Sequence, residues 1–263
     1  MGLTIHYRFY APKADGATAK ELVRQLWRAA AMAGFREIGQ IRHLVGNQCD
    51  PDVLDRDEAK DQTLQWLLVQ AAGSVRWKPR HSGRTQKTCY ADVIPLEVIA
   101  FHTLPGAGCE PANFGLCRYP PAVQVQDGRQ KRSLPTRLGT GWHWHSFCKT
   151  QYASNPRSGG VENFLRCHLG IVKVLDAAKA LGILREVLDE GNYWQDRDVQ
   201  SLARQVGQWN QMVAAAMEAL GNQARQIGGT LSAPICQYPD FPHLAAKGKA
   251  SGHAASAKPA ASP

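Results

Sequence analysis

Residues 3–10, LTIHYRFY, alternate apolar and polar side chains, and this period of two predicts a strand with one buried face. Pro12 and Gly16 end the strand. From Thr18 onward, apolar residues recur at intervals of three and four, which predicts a helix that stops at Gly34. A second strand is predicted over about 36–44. Strand, helix and strand in this order indicate an N-terminal βαβ unit.

The rest of the chain continues the mixed pattern. Helices are predicted over about 57–72, 161–181 and 198–220, and strands over about 93–101 and 183–188. Between them, 75–90 has many cations and little apolar period, which indicates a long basic loop or hairpin inserted into the fold. We therefore expect an α/β or α+β fold, with a mixed sheet of about four to six strands and helices packed on it.

The domain organisation follows from a change in composition near the end of the chain. Residues 1–244 are expected to form a single globular domain. A subdivision of this domain near 135–160 stays open as an alternative. From 245 to 263 the chain consists mostly of Ala, Lys, Ser, Gly, His and Pro, which cannot bury a core. The sequence therefore predicts a disordered, low-complexity tail.

Composition and motifs exclude several classes of protein. With 44% hydrophobic and 20% charged residues, the composition is that of a globular protein, and no apolar run approaches the roughly 18 residues of a membrane helix. The opening residues lack a signal-peptide pattern, so we expect a cytoplasmic protein with no membrane partner. The seven cysteines form no CxxC pair, which indicates reduced thiols. P-loop, HExxH and GxSxG motifs are absent, and the GxG at 106–108 lacks the third glycine of a dinucleotide-binding fingerprint. Whether the protein is an enzyme stays open.

The positive charge is concentrated in one part of the sequence. The net charge is +9, and residues 76–149 hold eleven Lys and Arg against four Asp and Glu. Such segregation predicts a surface that attracts phosphates. The alternative is a solvated basic loop that binds nothing in particular.

Aromatic residues interrupt the basic segment, and cations interleaved with aromatic rings are typical of nucleic-acid binding. No helix-turn-helix, zinc-finger or RNA-recognition signature is present, so binding would be led by the phosphate backbone. The resulting hypothesis is a cytoplasmic protein that binds nucleic acid or another polyanion. The predicted contact residues are Arg76, Trp77, Lys78, Arg80, Arg84, Lys87, Arg129, Lys131, Arg132 and Arg137.

A second hypothesis rests on residues 141–149, GWHWHSFCK. If this stretch is extended, His143 and His145 share one face and could hold a metal such as zinc together with Cys148, with Cys167 or His168 completing the set. Cys148 beside Lys149 is also a candidate nucleophile. This alternative is a metal-dependent or Cys/His hydrolase or transferase.

A third candidate site follows the last predicted strand. Asp189, Glu190 and Tyr193 would line a ligand crevice if they lie at the carboxyl end of a strand in an α/β sheet. The same residue types also suit a tight turn and a helix cap. Glu97, within an otherwise apolar strand, is a further flagged carboxylate. A non-catalytic interaction module that uses its apolar helices remains the last alternative.

Overall fold

The computed structural model describes residues 3–54, 58–79 and 88–256. The strands are β1 (Thr4–Ala11), β2 (Glu37–Ile38), β3 (Arg42–Val45), β4 (Gly73–Trp77), β5 (Cys89–Val93), β6 (Glu97–Phe101), β7 (Thr103–Leu104), β8 (Phe114–Arg118), β9 (Ala122–Asp127), β10 (Gln130–Pro135), β11 (Trp142–Lys149) and β12 (Leu184–Asp189). The α-helices are α1 (Gly16–Ala33), α2 (Gln62–Ala71), α3 (Gly160–Ala180), α4 (Tyr193–Asp196), α5 (Val199–Gln226) and α6 (Phe241–Ser256). Within these described ranges, no helix is long and apolar enough to cross a membrane.

The main sheet has six strands in the order β12-β1-β11-β8-β6-β3, and every neighbouring pair is antiparallel. It follows that β1 and β3 run in the same direction with three strands between them, and α1 connects them. The mixed α and β fold with an N-terminal βαβ unit is therefore confirmed, although its two strands are not neighbours. In the same way, α3 connects β11 to β12, which run parallel on either side of β1.

The predicted strand 36–44 is two short strands, β2 and β3, interrupted at Gly39. The backbone N–H of Gly39 donates to the His102 carbonyl at 2.8 Å, and the Gly39 carbonyl accepts from Trp27 Nε1 at 2.9 Å. The first bond continues the β2–β7 register by one residue, whereas the second gives the Gly39 carbonyl to the Trp27 side chain. As a result, β2 pairs with β7 outside the main sheet, and only β3 joins it.

One face of the sheet is covered by α1 and α3, which also pack against each other. Asp15 caps α1 by accepting from the Thr18 N–H at 2.8 Å, and Gly34 ends it in the left-handed conformation with φ 75°. Alternate residues of β1 are buried on this face, namely Ile5, Tyr7, Phe9 and Ala11. The period of two in the opening sequence therefore corresponds to burial under these helices.

The second face of the sheet is covered only in part. α2 packs over β6 and β11, and Tyr119 donates from Oη to the Ala71 carbonyl at the end of α2, at 2.7 Å. Along β1, the residues of this face are His6, Arg8 and Tyr10, which are exposed or half-buried. The side of the sheet formed by β12, β1 and β11 is therefore partly open to solvent.

The basic segment was predicted as a loop or a hairpin, and its strands β4 and β5 pair as a hairpin. Its connection lies in 78–88, of which 80–87 fall outside the described residues. The apolar run 93–101 divides at Pro95 into the end of β5 and β6, which agrees with the effect expected of proline. The β9–β10 hairpin and the central strand β8 were not predicted. β8 carries Gly115 where a Cβ would come within 2.4 Å of the Ala100 Cβ, so glycine allows β6 and β8 to pair.

The C-terminal helices form a second, smaller apolar cluster. Asp198 caps α5 by accepting from the Ser201 N–H at 2.9 Å, as its position in the sequence indicated. Helix α6 runs to Ser256, beyond the expected boundary at residue 244. Ala245 is fully buried, and Lys249 forms an ion pair with Glu218 of α5 at 2.9 Å. The start of the predicted tail, around Ala245 and Lys249, therefore packs against α5, and its last part, 257–263, lies outside the described residues.

Candidate functional site

A cavity of about 600 Å³ lies on the open side of the sheet. Antiparallel pairing places Arg8 of β1 opposite His145 of β11, and Tyr10 opposite His143. The floor is therefore built from two neighbouring strands. The lining residues include Arg8, Tyr10, Ser74, Tyr119, Arg137, Thr140, His143, His145 and Arg185.

Three arginines line this cavity, and they come from different parts of the chain. Arg8 belongs to β1, Arg137 to the connection before β11, and Arg185 to β12. None of the lining residues that the structure describes is an Asp or Glu. Arg8 does contact Glu186 at 3.4 Å, but both side chains are more than half exposed, so water screens the pair. The cavity therefore has a surplus of positive charge.

An aromatic pair forms one wall of the cavity. The rings of Tyr10 and His143 stack with their centroids 4.7 Å apart and an angle of 30° between their planes, and Tyr119 meets His143 edge-on at 6.2 Å. His143 Nε2 lies 2.8 Å from the Thr140 carbonyl, which can only accept, so Nε2 carries the proton. This bond fixes the orientation of the imidazole ring.

His145 lies beside Arg8 in the same cavity. Partial burial, together with the positive charge of Arg8, lowers the pKa of His145 below its ordinary value. The lowered pKa favours the neutral imidazole, which offers one N–H donor and one acceptor. The permanent positive charge of the cavity is supplied by the arginines.

The loop that presents Arg137 is held in an unusual conformation. Arg137 has φ 61°, in the left-handed region that non-glycine residues rarely adopt. On its N-terminal side, Thr136 is fixed by its N–H to the Pro121 carbonyl at 2.9 Å and by Oγ1 to the Pro120 carbonyl at 2.6 Å. Thr136 Oγ1 also accepts from the Leu138 N–H at 3.2 Å. The surrounding bonds therefore maintain a strained residue at the edge of the cavity.

We expect Arg137→Gly to be more stable than Arg137→Ala by about 1 kcal/mol, because glycine has no Cβ to oppose a positive φ. Both variants remove the same charge. Equilibrium unfolding in urea measures the difference. The matched control is Lys131, exposed in β10, where the glycine variant should be the less stable of the two. An Arg137→Ala variant as stable as Arg137→Gly would show that the left-handed conformation costs nothing.

The two predicted basic segments adjoin beside the cavity. Arg132 of β10 donates from Nη1 to the Lys78 carbonyl at 3.2 Å and contacts Asp127 at 3.4 Å, so this arginine is partly used within the protein. Ser74 of β4 lines the cavity, and Arg76 follows it on the same face of the strand. Tyr90, which pairs with Arg76 across the hairpin, is 68% exposed. This face of the hairpin therefore presents Arg76 and Tyr90 beyond the cavity, together with the exposed Asp92 opposite Ser74.

The other predicted contact residues have varied positions. Trp77 is half-buried on the opposite face of β4 from Arg76, so the two do not share a surface. Arg129 and Lys131 are exposed on the β9–β10 hairpin. The remaining three, Arg80, Arg84 and Lys87, lie outside the described residues.

The structure does not bring together the predicted metal ligands His143, His145 and Cys148. In β11 the two histidines lie on the cavity side, whereas Cys148 is buried on the opposite face together with Trp142 and Trp144. Cys148 Sγ is 3.5 Å from Cys109 Sγ, and its hydrogen bond and burial raise the pKa of the Cys109 thiol. Across 3–54, 58–79 and 88–256, no group of three or more His, Cys, Asp or Glu is arranged to hold a metal.

Cys148 is also poorly placed as a nucleophile. Its side chain is fully buried and donates to the Glu110 carbonyl at 3.0 Å. Lys149 points to the other face, where Nζ contacts Tyr152 Oη at 3.3 Å. In this arrangement a substrate has no access to the thiol, and the lysine lies on the other face of the strand.

The suggested crevice at Asp189, Glu190 and Tyr193 is a tightly bonded turn. Asp189 is 2% exposed and accepts from the N–H groups of Gly191 and Trp194, both at 2.8 Å. Its third partner is His168 Nε2 at 3.2 Å, while Glu190 accepts from the Thr4 N–H at 2.9 Å. The two carboxylates therefore accept hydrogen bonds from backbone and side-chain donors within the protein. This agrees with the alternative that these residue types form a tight turn and a helix cap.

The pKa of Asp189 reflects these contacts. Burial alone would raise it, but the hydrogen bond and charge of His168 and the two backbone N–H groups lower it overall. His168 Nδ1 is in turn 3.0 Å from Thr150 Oγ1. This buried chain of polar groups links β12, α3 and the end of β11.

Glu97, the flagged carboxylate of β6, has a structural partner on each side. It contacts His43 Nε2 at 2.8 Å and Arg118 Nη2 at 3.2 Å, and its side chain is 15% exposed. These contacts satisfy the carboxylate between β3 and β8, so Glu97 needs no ligand to explain its position.

Sequence reasoning missed Arg8, Tyr10 and Arg185. Arg8 and Tyr10 were recognised only as the polar side of a strand, and Arg185 lies outside the charge-rich segment. The signal that could have selected Arg8 is its position on the same strand face as an aromatic residue. Comparisons of the chain with protein-family models, curated proteins and solved structures found no match in any of the three.

Proposed function

We propose that the protein binds nucleic acid through a basic region, formed by the cavity with Arg8, Arg137 and Arg185 and by the exposed cations of the two adjoining hairpins, Arg76, Lys78 and Lys131. The observation that carries this proposal is the cavity itself: three arginines line it, and no described lining residue is acidic. Such a site attracts phosphates, and the affinity gained by releasing condensed counterions makes nucleic acid a suitable ligand.

The arrangement of the hairpins supports an extended ligand in preference to a single small anion. The contact of Arg132 with the Lys78 carbonyl holds the two basic hairpins together at 3.2 Å. From Ser74 in the cavity, β4 leads to Arg76 and Lys78 over roughly 13 Å, at about 3.3 Å per residue. Several consecutive phosphates could therefore contact the same surface.

The proposal includes a cytoplasmic location, where nucleic acid is accessible. All seven cysteines are free thiols, which suits a reducing compartment. Binding should depend little on base sequence, because the cations contact phosphates and base readout would require a dedicated recognition element.

Charge neutralisation on the hairpins tests the proposal. Combining Arg76→Gln, Lys78→Gln and Lys131→Gln is expected to weaken binding to a labelled oligonucleotide about tenfold or more at low salt, with a shallower salt dependence. Fluorescence anisotropy measures both quantities.

The matched control is a triple variant with the same loss of charge on the other side of the sheet. Lys20→Gln, Arg28→Gln and Lys173→Gln change exposed residues of α1 and α3. This control should bind within about twofold of the unchanged protein. Equal losses for the two triple variants would show that only net charge matters, and the proposed surface would then be wrong.

A further inference from the structure

We propose that the cavity receives one unpaired nucleotide, so that the preferred ligand is a single strand. This inference rests on the proposed function and adds the class of nucleic acid. It assigns the two halves of a nucleotide to two parts of the cavity: the phosphate to the arginines, and the base to the Tyr10–His143 pair. The cavity volume, about 600 Å³, lies within the range of sites that enclose small molecules.

The phosphate half of the assignment depends on the number and origin of the cations. Arg8, Arg137 and Arg185 reach one cavity from three separate elements, so more than one guanidinium can contact the same phosphate. Each guanidinium can donate two parallel hydrogen bonds to a phosphate. The bonds of Thr136 fix the backbone at the left-handed Arg137 before any ligand arrives.

The base half of the assignment depends on the aromatic wall. Tyr10 and His143 are both half-buried, stack on each other and line the cavity. The bond from His143 Nε2 to the Thr140 carbonyl and the edge contact with Tyr119 hold the imidazole ring in place. Nucleic-acid bases stack on rings of this kind in proteins that bind single strands.

A duplex does not fit this arrangement. Its bases are stacked and paired inside the helix, and a base reaches a recessed aromatic wall only after leaving the stack, at a cost of a few kcal/mol. The exposed hairpin cations can contact the phosphates of either form. We therefore expect the cavity to provide the preference for single strands and the hairpins to provide affinity for both forms.

The first measurement compares an oligonucleotide of about 16 nucleotides with its own duplex at the same salt concentration. The single strand is expected to bind at least tenfold more tightly. Tyr10→Ala should weaken single-strand binding about tenfold and leave duplex binding unchanged, since one base–aromatic contact contributes about 1–3 kcal/mol. Tyr10→Phe keeps the ring and should bind the single strand like the unchanged protein.

A second variant tests the phosphate half without disturbing a half-buried residue. Arg185 is exposed, so Arg185→Gln is expected to fold normally and to weaken single-strand binding more than duplex binding. Inorganic polyphosphate, which has charge but no bases, serves as a matched ligand. Its binding should respond to Arg185→Gln but not to Tyr10→Ala.

The results that would overturn this inference differ from those that would overturn the proposed function. Equal affinity for single strand and duplex, or equal effects of Tyr10→Ala on the two, would show that no base enters the cavity, while the hairpin variants could still weaken both ligands. Loss of the proposed function would instead appear as no binding of either form at low salt.

Discussion

Asp189→Ala is expected to lower the free energy of unfolding by about 3–5 kcal/mol, because it leaves three buried donors without their acceptor, each at a cost of about 1–3 kcal/mol. The His168 Nε2–Asp189 Oδ2 distance is 3.2 Å, and both side chains are fully buried. Without the carboxylate, His168 and the N–H groups of Gly191 and Trp194 lose their acceptor inside the protein. Equilibrium unfolding in urea measures the loss.

Asp176→Ala is the matched control for this variant. Asp176 accepts two hydrogen bonds from Arg197, at 2.9 and 2.8 Å, but these side chains are 46% and 41% exposed. An exposed pair contributes little, so this variant should cost less than about 1 kcal/mol. Similar losses for the two aspartate variants would contradict the importance assigned to the buried pair.

The same carboxylate gives a pH dependence with a definite sign. Because the folded protein lowers the pKa of Asp189, the ionised form stabilises the fold above the ordinary aspartate pKa of about 3.9. This contribution is lost as the pH falls through the lower pKa of the folded state. The unchanged protein should therefore lose more stability than Asp189→Ala between about pH 5 and pH 2. Parallel curves for the two proteins would show that Asp189 contributes nothing to acid unfolding.

Raising monovalent salt from about 50 to about 200 mM is expected to weaken single-strand binding about 50-fold. This figure assumes about four neutralised phosphates, one held by the cavity arginines and three at Arg76, Lys78 and Lys131, and a slope of about −0.7 in log affinity for each of them with a single strand. Anisotropy titrations at several salt concentrations measure the slope. A slope shallower than about −1 would mean that the surface does not neutralise several phosphates.

A variant that lacks hairpin charge provides the control for the salt experiment. Arg76→Gln combined with Lys78→Gln removes two of the four expected contacts and should halve the slope, to about −1.4. The corresponding pair Lys20→Gln and Arg28→Gln, on α1, should leave the slope unchanged. An unchanged slope in the hairpin variant would place the phosphate contacts elsewhere.

Local sequence patterns predicted much of the fold, because they depend on neighbouring residues. Alternation predicted β1, and it also separated His143 and His145 from the buried Trp142 and Trp144 in β11. The same rule contains a signal that was not used: Cys148 is an odd number of positions from both histidines, so in a strand it must face the other way. The proposed three-residue metal set was thus inconsistent with its own premise.

The cavity itself could not be predicted from local patterns. It requires the register that places Arg8 opposite His145, and these residues are far apart in the chain. Counting charges by segment also failed to include Arg8 and Arg185. Such a count groups residues that are close in the sequence, whereas the cavity groups residues from strands that are neighbours in the sheet. Residues 76–78 and 129–137 do adjoin, but through a side-chain contact between two hairpins, one of which gave no clear strand pattern.

The position of β1 between β11 and β12 has a consequence for biosynthesis. This strand pairs with Lys149 at one residue and with Asp189 at the next, so both of its neighbours are translated much later than β1 itself. The main sheet therefore cannot be completed during synthesis of the first half of the chain. Until the later strands are made, the apolar face of α1 is not fully covered. Such late, long-range pairing slows folding and prolongs the exposure of apolar surface that can aggregate. We therefore expect chaperones to bind the nascent chain.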